Sequence, residues 1–171
     1  MQLAAEKEFC VGGPFPISYS PLGELFVLAF FGVAGVAGTY WLACGAIGPA
    51  PIVAGVAIGL FAAAVLLVNN HRDRVEDARA GRRTVAILIG ADATRWLYAA
   101  LMLAPFLALA PLMRLMPDAH VGAAILSAPF ALAIVVRFFR ERLGRGLNAI
   151  LARTAQVQLA FAFLLCAGAI L

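Results

Sequence analysis

The chain of 171 residues is 64% hydrophobic and only 13% charged. Soluble domains are about half apolar and about one quarter charged, so this composition excludes an ordinary soluble fold and indicates an integral membrane protein. The formal net charge of +4 comes almost entirely from arginine, and no basic stretch is interleaved with aromatic residues. A nucleic-acid partner is therefore not expected.

Five apolar stretches are long enough to cross a bilayer, which requires about 20 residues per helix. We therefore expect an all-α fold, an integral membrane helical bundle of about five transmembrane helices that forms a single domain over residues 1–171. The predicted spans lie near 22–43, 46–68, 95–115, 119–139 and 150–171.

The basic residues are predicted to lie on one side of the membrane. The N-terminal arm and the predicted loops at 69–95 and 137–153 hold every lysine and arginine except Arg114. Because cytoplasmic loops are enriched in these residues, we expect the N-terminus and both charged loops in the cytoplasm, with the protein in the cytoplasmic (inner) membrane of a bacterium. Such loops also bind anionic membrane lipid.

Small residues recur within the first two spans. Gly32, Gly35 and Gly38 follow one another every three residues, and Gly55 and Gly59 form a G-x-x-x-G pattern. In lipid, such patterns let helix backbones approach closely. We therefore predict tight packing between helices at these positions.

The stretch NNHRDRVEDARAGRRT, residues 69–84, carries charges of both signs directly after the second span. If that helix continues past Val68, Asn69, Asp73 and Asp77 share one face, because they are four residues apart. Neighbouring carboxylates repel each other and need a cation, supplied either by the arginines or by a divalent ion. Magnesium commonly uses one or two carboxylates together with substrate phosphates.

The arginines of this stretch have two interpretations. They can donate hydrogen bonds to phosphate oxygens, or they can simply fix topology and bind anionic lipid as a solvated loop. His71, next to the motif but off its aspartate face, is expected at the surface. Gly81 is expected to turn the chain away from the helix end.

Three stretches resemble a known family when taken in order. Residues 69–90, NNHRDRVEDARAGRRTVAILIG, resemble the second aspartate-rich motif of the UbiA superfamily of membrane prenyltransferases, and most closely the branch that acts on 1,4-dihydroxy-2-naphthoate in menaquinone synthesis. GGPFPISYSPLGELFV is similar to the loop before that branch's fifth helix, and LNAILARTAQVQL to the start of its last helix. The motif departs from the family pattern at Glu76 and Ala78, neither of which is an implied metal ligand.

The resemblance implies a reaction and a division of the fold. Family members have about nine helices and two aspartate-rich motifs, and the first motif has no counterpart in these 171 residues. The chain is therefore similar to helices five to nine, the C-terminal half. The implied activity is Mg²⁺-dependent transfer of a polyprenyl group from polyprenyl diphosphate to an aromatic acceptor, with a partner N-terminal half that carries the first motif. This chain alone is expected to be inactive.

The resemblance also implies roles for individual residues. Asp73 and Asp77 are the implied catalytic residues and the implied Mg²⁺ ligands. Glu24, beside Tyr19, has two open interpretations, approach to the acceptor or a favourable acid at a helix N-terminus. Arg153 likewise either meets an anionic substrate or anchors a helix at the interface. The implied substrate-binding residues are Asn69, Asn70, Arg72, Arg82, Arg83, Tyr19 and Arg153.

Other functions remain open from the sequence. A non-catalytic, truncated membrane protein that binds partner helices or lipid would also retain these spans. A prenyltransferase of another acceptor, 4-hydroxybenzoate or homogentisate, would share the motif. CDP-alcohol phosphotransferases are disfavoured because no glycine follows Asp73 or Asp77. A channel or transporter is disfavoured because no ionisable residue lies clearly at mid-span.

Overall fold

The protein is described by a computed structural model that covers residues 21–144 and 146–171. Within these ranges the regular elements are all helices, which confirms the predicted fold class. Five of them are long and apolar enough to cross a membrane, as the sequence predicted. We label them α1 to α5, and they span Gly23–Cys44, Pro49–Arg79, Val85–Leu115, Val121–Arg140 and Gly146–Ile170.

The helices extend further than the sequence predicted, and the charged loops are correspondingly shorter. α2 continues through the charged stretch to Arg79, and α3 already begins at Val85. The predicted loop at 69–95 therefore shrinks to 80–84, with a kink at Gly90, whose φ of 78° is not helical. The loop at 137–153 shrinks to the stretch between Arg140 and Gly146. Charged residues do not end these helices because arginine and glutamate have good helix propensity, and arginines in a last turn interact favourably with the helix dipole.

Glycine and proline set the ends of α2. Pro49 occupies the first turn of α2, where its missing N–H leaves no hydrogen bond unmade. Gly81 has φ of 78°, in the left-handed region, directly after the helix. The predicted turn at Gly81 is therefore confirmed.

α2 lies at the centre of the bundle and packs against α1, α3 and α5. In the core, the ring of Phe61 on α2 lies 6.0 Å from that of Phe106 on α3 and 5.2 Å from that of Phe161 on α5, measured between centroids. The rings meet edge-on or tilted, an arrangement favoured by aromatic quadrupoles. This cluster fixes the three helices relative to one another.

α1 packs on α2 through glycine. The Gly32 backbone lies so close to α2 that a β-carbon there would overlap the Gly55 carbonyl oxygen and the Gly59 Cα. Gly32 lies in a π-helical segment, Leu28–Ala34, within α1. The predicted close approach is thus confirmed for these three glycines. At Gly38 a β-carbon would meet nothing within 4 Å among the described residues, so close packing there stays a prediction.

The expectation that His71 lies at the surface is wrong. His71 is only 2% exposed, and its ring meets the edge of Phe138 on α4 at a centroid distance of 5.2 Å. The sequence placed it beside a charged motif, but it lies on the side of α2 that faces α4. Because α2 continues through residue 71, His71 lies in the helix and in the core, and not in a loop.

The glycine contact predicts different effects on stability for two alanine substitutions. Gly32→Ala should lower the free energy of unfolding by about 1–3 kcal/mol, the scale of overpacking, because the α2 backbone must move away. Gly38→Ala is the matched control, since it adds the same methyl to the same helix in open space. Thermal unfolding of both variants in detergent micelles, followed by circular dichroism, measures the difference. Equal losses for the two variants would contradict the close approach.

Candidate functional site

The candidate site is built on the last three turns of α2. Because this helix is continuous to Arg79, Asn69, Asp73 and Asp77 lie along one face, as their spacing predicted. Asp77 is nearly buried, with 8% of its surface exposed, whereas Asp73 is half-buried. The helix thus presents two carboxylates one turn apart at the end of an apolar segment.

Arg72 neutralises Asp73 and links it to the last helix. Its Nε donates to Asp73 Oδ1 at 2.6 Å, and its Nη2 donates to Asp73 Oδ2 at 2.7 Å. Nη2 also donates to Asn69 Oδ1 at 2.8 Å, and Nη1 donates to Asn148 Oδ1 on α5 at 2.7 Å. One guanidinium therefore occupies both oxygens of Asp73 and joins α2 to α5.

Arg82 interacts with the second carboxylate. The turn at Gly81 reverses the chain, and the Arg82 backbone N–H donates to the Asp77 carbonyl at 2.9 Å. The side-chain Nη1 donates to Asp77 Oδ1 at 3.0 Å. Each aspartate thus has its own arginine, and the repulsion expected between the two carboxylates is screened.

Asn70 connects this face of α2 to α1. Its Nδ2 donates to Glu24 Oε1 at 3.0 Å. Glu24 is 9% exposed, and its other oxygen, Oε2, has no hydrogen-bond partner among the described residues. A buried polar atom without a partner is uncommon in folded proteins.

The remaining predicted site residues that the structure describes are not part of the hydrogen-bonded network around Asp73 and Asp77. Arg83 is exposed after the end of α2. Arg153 is exposed on α5, where it lines an apolar groove with Ile134 of α4, and it does not join the Arg72 network. Tyr19 lies outside the described residues. The substrate-binding roles of these three residues therefore remain predictions.

Sequence reasoning missed Asn148 and the role of Thr154. Thr154 donates its hydroxyl hydrogen to the Ile150 carbonyl, so the buried Tyr98 hydroxyl must donate to Thr154 Oγ1, at 2.7 Å. This pair joins α3 to α5 and is structural. The signal for Asn148 was its place in the first turn of the last helix, within the stretch already singled out for resemblance.

The donor set fits part of a magnesium site. Over residues 21–144 and 146–171, no three His, Cys, Asp or Glu side chains come together closely enough to hold a metal ion. Asp73 and Asp77 are nevertheless hard carboxylate groups of the kind that Mg²⁺ commonly takes alongside substrate phosphates. Asn69 offers an amide oxygen on the same face. Further ligands would have to come from a diphosphate, water or residues beyond the described ranges.

Comparison with known proteins assigns the family. Residues 14–155 match the model of the UbiA prenyltransferase family. The chain belongs to the UbiA prenyltransferase family. It is 35% identical over 159 residues to a 1,4-dihydroxy-2-naphthoate octaprenyltransferase of Mycobacterium tuberculosis, covering 93% of this chain and 53% of the relative. The fold and the family together identify it as a multi-pass membrane protein.

Two further relatives carry the same name. The Bacillus subtilis 1,4-dihydroxy-2-naphthoate octaprenyltransferase is 31% identical over 164 residues, covering 92% of this chain and 51% of the relative. The Haemophilus influenzae protein is 46% identical over 79 residues, 46% of this chain and 26% of the relative. This UbiA family chain therefore spans about half the length, or less, of these curated relatives.

The Arg72–Asp73 pair predicts competition with divalent cations. Arg72→Ala should raise the affinity of the purified chain for Mn²⁺, a paramagnetic substitute for Mg²⁺, by about two- to fivefold, the scale of a partly exposed ion pair. Arg74→Ala is the matched control, because it removes the same charge from the same helix without breaking a bond to Asp73. Electron paramagnetic resonance of free Mn²⁺ measures both affinities. An Arg72→Ala affinity at or below that of Arg74→Ala would contradict the competition.

Proposed function

We propose that this chain is the C-terminal half of an aromatic prenyltransferase of menaquinone synthesis. Its reaction would be the Mg²⁺-dependent transfer of a polyprenyl group from polyprenyl diphosphate to 1,4-dihydroxy-2-naphthoate. The observation that carries the proposal is the interleaving of Asp73 and Asp77 with Arg72 and Arg82 at one helix end. The printed names of the relatives support the choice of acceptor.

The aspartates and arginines have complementary tasks in this proposal. Asp73 and Asp77 hold Mg²⁺, and the ion, when bound, supplies positive charge that stabilises the departing diphosphate. Arg72 and Arg82 each exchange a carboxylate for a diphosphate oxygen, since guanidinium groups bind both kinds of oxygen in the same planar geometry. Their present ion pairs are partly exposed, and such pairs are weak enough to exchange.

The apolar surroundings suit the polyprenyl chain of the same substrate. Below the charged end, α2 runs into a core of aliphatic and aromatic side chains. A polyprenyl chain is compatible with such surroundings, and an allylic cation formed there would be protected from water until the ring attacks it. Asn69 and Asn70 contribute neutral hydrogen-bonding groups between the charged and apolar parts.

We further propose that the site is completed by a partner half. Two carboxylates form only part of a two-motif metal site, and the chain spans about half of its relatives. The first aspartate-rich motif would come from a separate chain or from sequence upstream of these residues. The isolated chain is then inactive, and prenylation by the purified chain alone at the rate of a full-length relative would contradict this part of the proposal.

The proposed location is the bacterial cytoplasmic membrane, with the N-terminus and the charged loops in the cytoplasm. The charged helix ends meet at one end of the bundle, as Arg72 reaches Asn148 and Arg95 Nη2 donates to the Glu141 carbonyl at 3.4 Å. Positive residues collected at one end favour the cytoplasmic side. A cytoplasmic site also gives access to a soluble aromatic acid and to Mg²⁺.

The proposal predicts that both aspartates are essential. In membranes of the source cell, Asp73→Asn and Asp77→Asn should each lower prenylation of dihydroxynaphthoate by at least about 100-fold, the scale of losing a group that stabilises developing charge. Removal of Mg²⁺ with a chelator should have the same effect, and added Mg²⁺ should reverse it. The new ring–prenyl bond replaces the ring carboxylate, which leaves as CO₂, so the products are demethylmenaquinol and diphosphate. Liquid chromatography of the demethylmenaquinol, after its oxidation by air to the quinone, measures the rate.

Asp92→Asn is the matched control for these variants. Asp92 pairs with Arg95 at 2.9 Å, and its side chain is 92% exposed, so its loss should leave the rate unchanged. Full activity in Asp73→Asn and Asp77→Asn would instead favour a non-catalytic membrane protein that binds helices or lipid. Loss of 4-hydroxybenzoate or homogentisate prenylation, with dihydroxynaphthoate unused by the unaltered protein, would assign a different acceptor.

A further inference from the structure

Glu24 has a buried carboxylate oxygen that nothing in the described structure uses. Glu24 Oε1 accepts a hydrogen bond from Asn70 Nδ2 at 3.0 Å, whereas Oε2 is buried without a hydrogen-bond partner. Leaving a carboxylate oxygen buried and unpaired is costly. Such an atom is a candidate acceptor for a hydrogen bond from a bound ligand.

A helix-start role alone does not account for the hydrogen bond between Glu24 and Asn70. Glu24 lies in the first turn of α1, where an acidic side chain is favourable next to the free backbone amides. The start of α1 nevertheless has no side-chain cap hydrogen bond. The hydrogen-bonded oxygen instead reaches across to α2, to a residue 46 positions further along the chain.

The position of Asn70 places Glu24 beside the proposed reaction site. Asn70 precedes Asp73 by three residues and Asp77 by seven, so all three lie on the same side of α2. Glu24 is therefore docked from α1 onto the helix face that carries both aspartates. It is a third carboxylate next to the site, but it belongs to no metal-binding cluster among the described residues.

The chemistry of the site selects a neutral donor for Oε2. The two arginines of the site already form hydrogen bonds with aspartates, Arg72 with Asp73 and Arg82 with Asp77. A diphosphate or a carboxylate is negatively charged and would be repelled by Glu24. A ring hydroxyl is uncharged, donates one hydrogen bond and belongs to the acceptor that the proposed function requires. An acidic hydroxyaromatic acceptor would accordingly turn a hydroxyl towards Glu24 and its carboxylate away.

We infer that Glu24 binds the aromatic acceptor by accepting a hydrogen bond from a ring hydroxyl at Oε2. This inference rests on the proposed function and names the residue that orients its acceptor. A hydroxyl that donates to a carboxylate forms a strong, charge-assisted hydrogen bond. The bond leaves the hydroxyl oxygen more electron-rich, which favours attack by the ring on the prenyl carbon.

Glu24→Gln tests the inference with little change of shape. The glutamine oxygen can still accept from Asn70, but its NH₂ group replaces Oε2 and turns an acceptor into a donor. In source-cell membranes, kcat/KM for dihydroxynaphthoate should fall by roughly 10- to 100-fold, the range for a hydrogen bond to a charged group. The KM for octaprenyl diphosphate should stay unchanged. Glu76→Gln, an exposed carboxylate on α2, is the matched control and should leave both values unchanged.

Methylated acceptors give a second test that does not depend on a variant. The two monomethyl ethers of dihydroxynaphthoate each lack one hydroxyl hydrogen. The unaltered protein should use one ether roughly 10- to 100-fold less efficiently, and Glu24→Gln should show little discrimination between that ether and the parent compound. Equal use of both ethers and the parent by the unaltered protein would overturn the inference.

The aspartate variants separate failure of the inference from failure of the proposed function. If Asp73→Asn and Asp77→Asn are inactive while Glu24→Gln keeps its acceptor kinetics, Glu24 does not hold the acceptor and the proposed function stands. If the aspartate variants are as active as the unaltered protein, the proposed function is wrong, and the inference about Glu24 is wrong with it. A Glu24→Gln protein absent from the membrane, measured by immunoblot, leaves the decision to the ether comparison.

Discussion

The site depends on one constraint, the unbroken backbone hydrogen bonding of α2 from an apolar segment into a charged one. The 31 residues of Pro49–Arg79 form one helix. Its first part is held by glycine contacts to α1 and by aromatic contacts to α3 and α5. Because the same helix carries the carboxylates, their positions are set by core packing. The position of a carboxylate on a flexible loop would not be fixed by core packing in this way.

The two aspartates of α2 are each neutralised by an arginine, in ion pairs that can change partners. Each of Asp73 and Asp77 accepts hydrogen bonds from one arginine, and both ion pairs are partly exposed. A partly exposed pair contributes little to stability, so its members can bind other partners without unfolding the helix. Such a balance would suit the proposed binding of a cation and a polyanion. Two hydrogen bonds between helices, Arg72 with Asn148 and Asn70 with Glu24, join the charged end of α2 to α5 and α1.

One face of α1 packs against α2, whereas another face of α1 is exposed. α1 contacts α2 through Gly32, yet Gly35 is exposed and Gly38 has open space on its outer side. In a membrane, small residues on an open helix face allow another helix to approach closely. The proposed partner half would meet this requirement, and α1 would then be enclosed between two helices.

The sequence by itself determined the membrane class, the five spans and the common face of Asn69, Asp73 and Asp77. These features follow from hydropathy and spacing within single helices, which are local properties. Resemblance in three stretches also indicated the family that the comparison assigned. Helix ends were less well determined, because arginine and glutamate are compatible with either a loop or a helix end.

Only the tertiary structure decided which residues meet. Arg72 and Asn148 are 76 positions apart, and Asn70 and Glu24 are 46 positions apart. No local pattern specifies such pairs, since they depend on how α1 and α5 dock against α2. The burial of His71 arises in the same way, as does the burial of Glu24 Oε2, which has no hydrogen-bond partner among residues 21–144 and 146–171. Composition and periodicity define each helix, whereas packing decides which of its side chains lie in the core and which form the site.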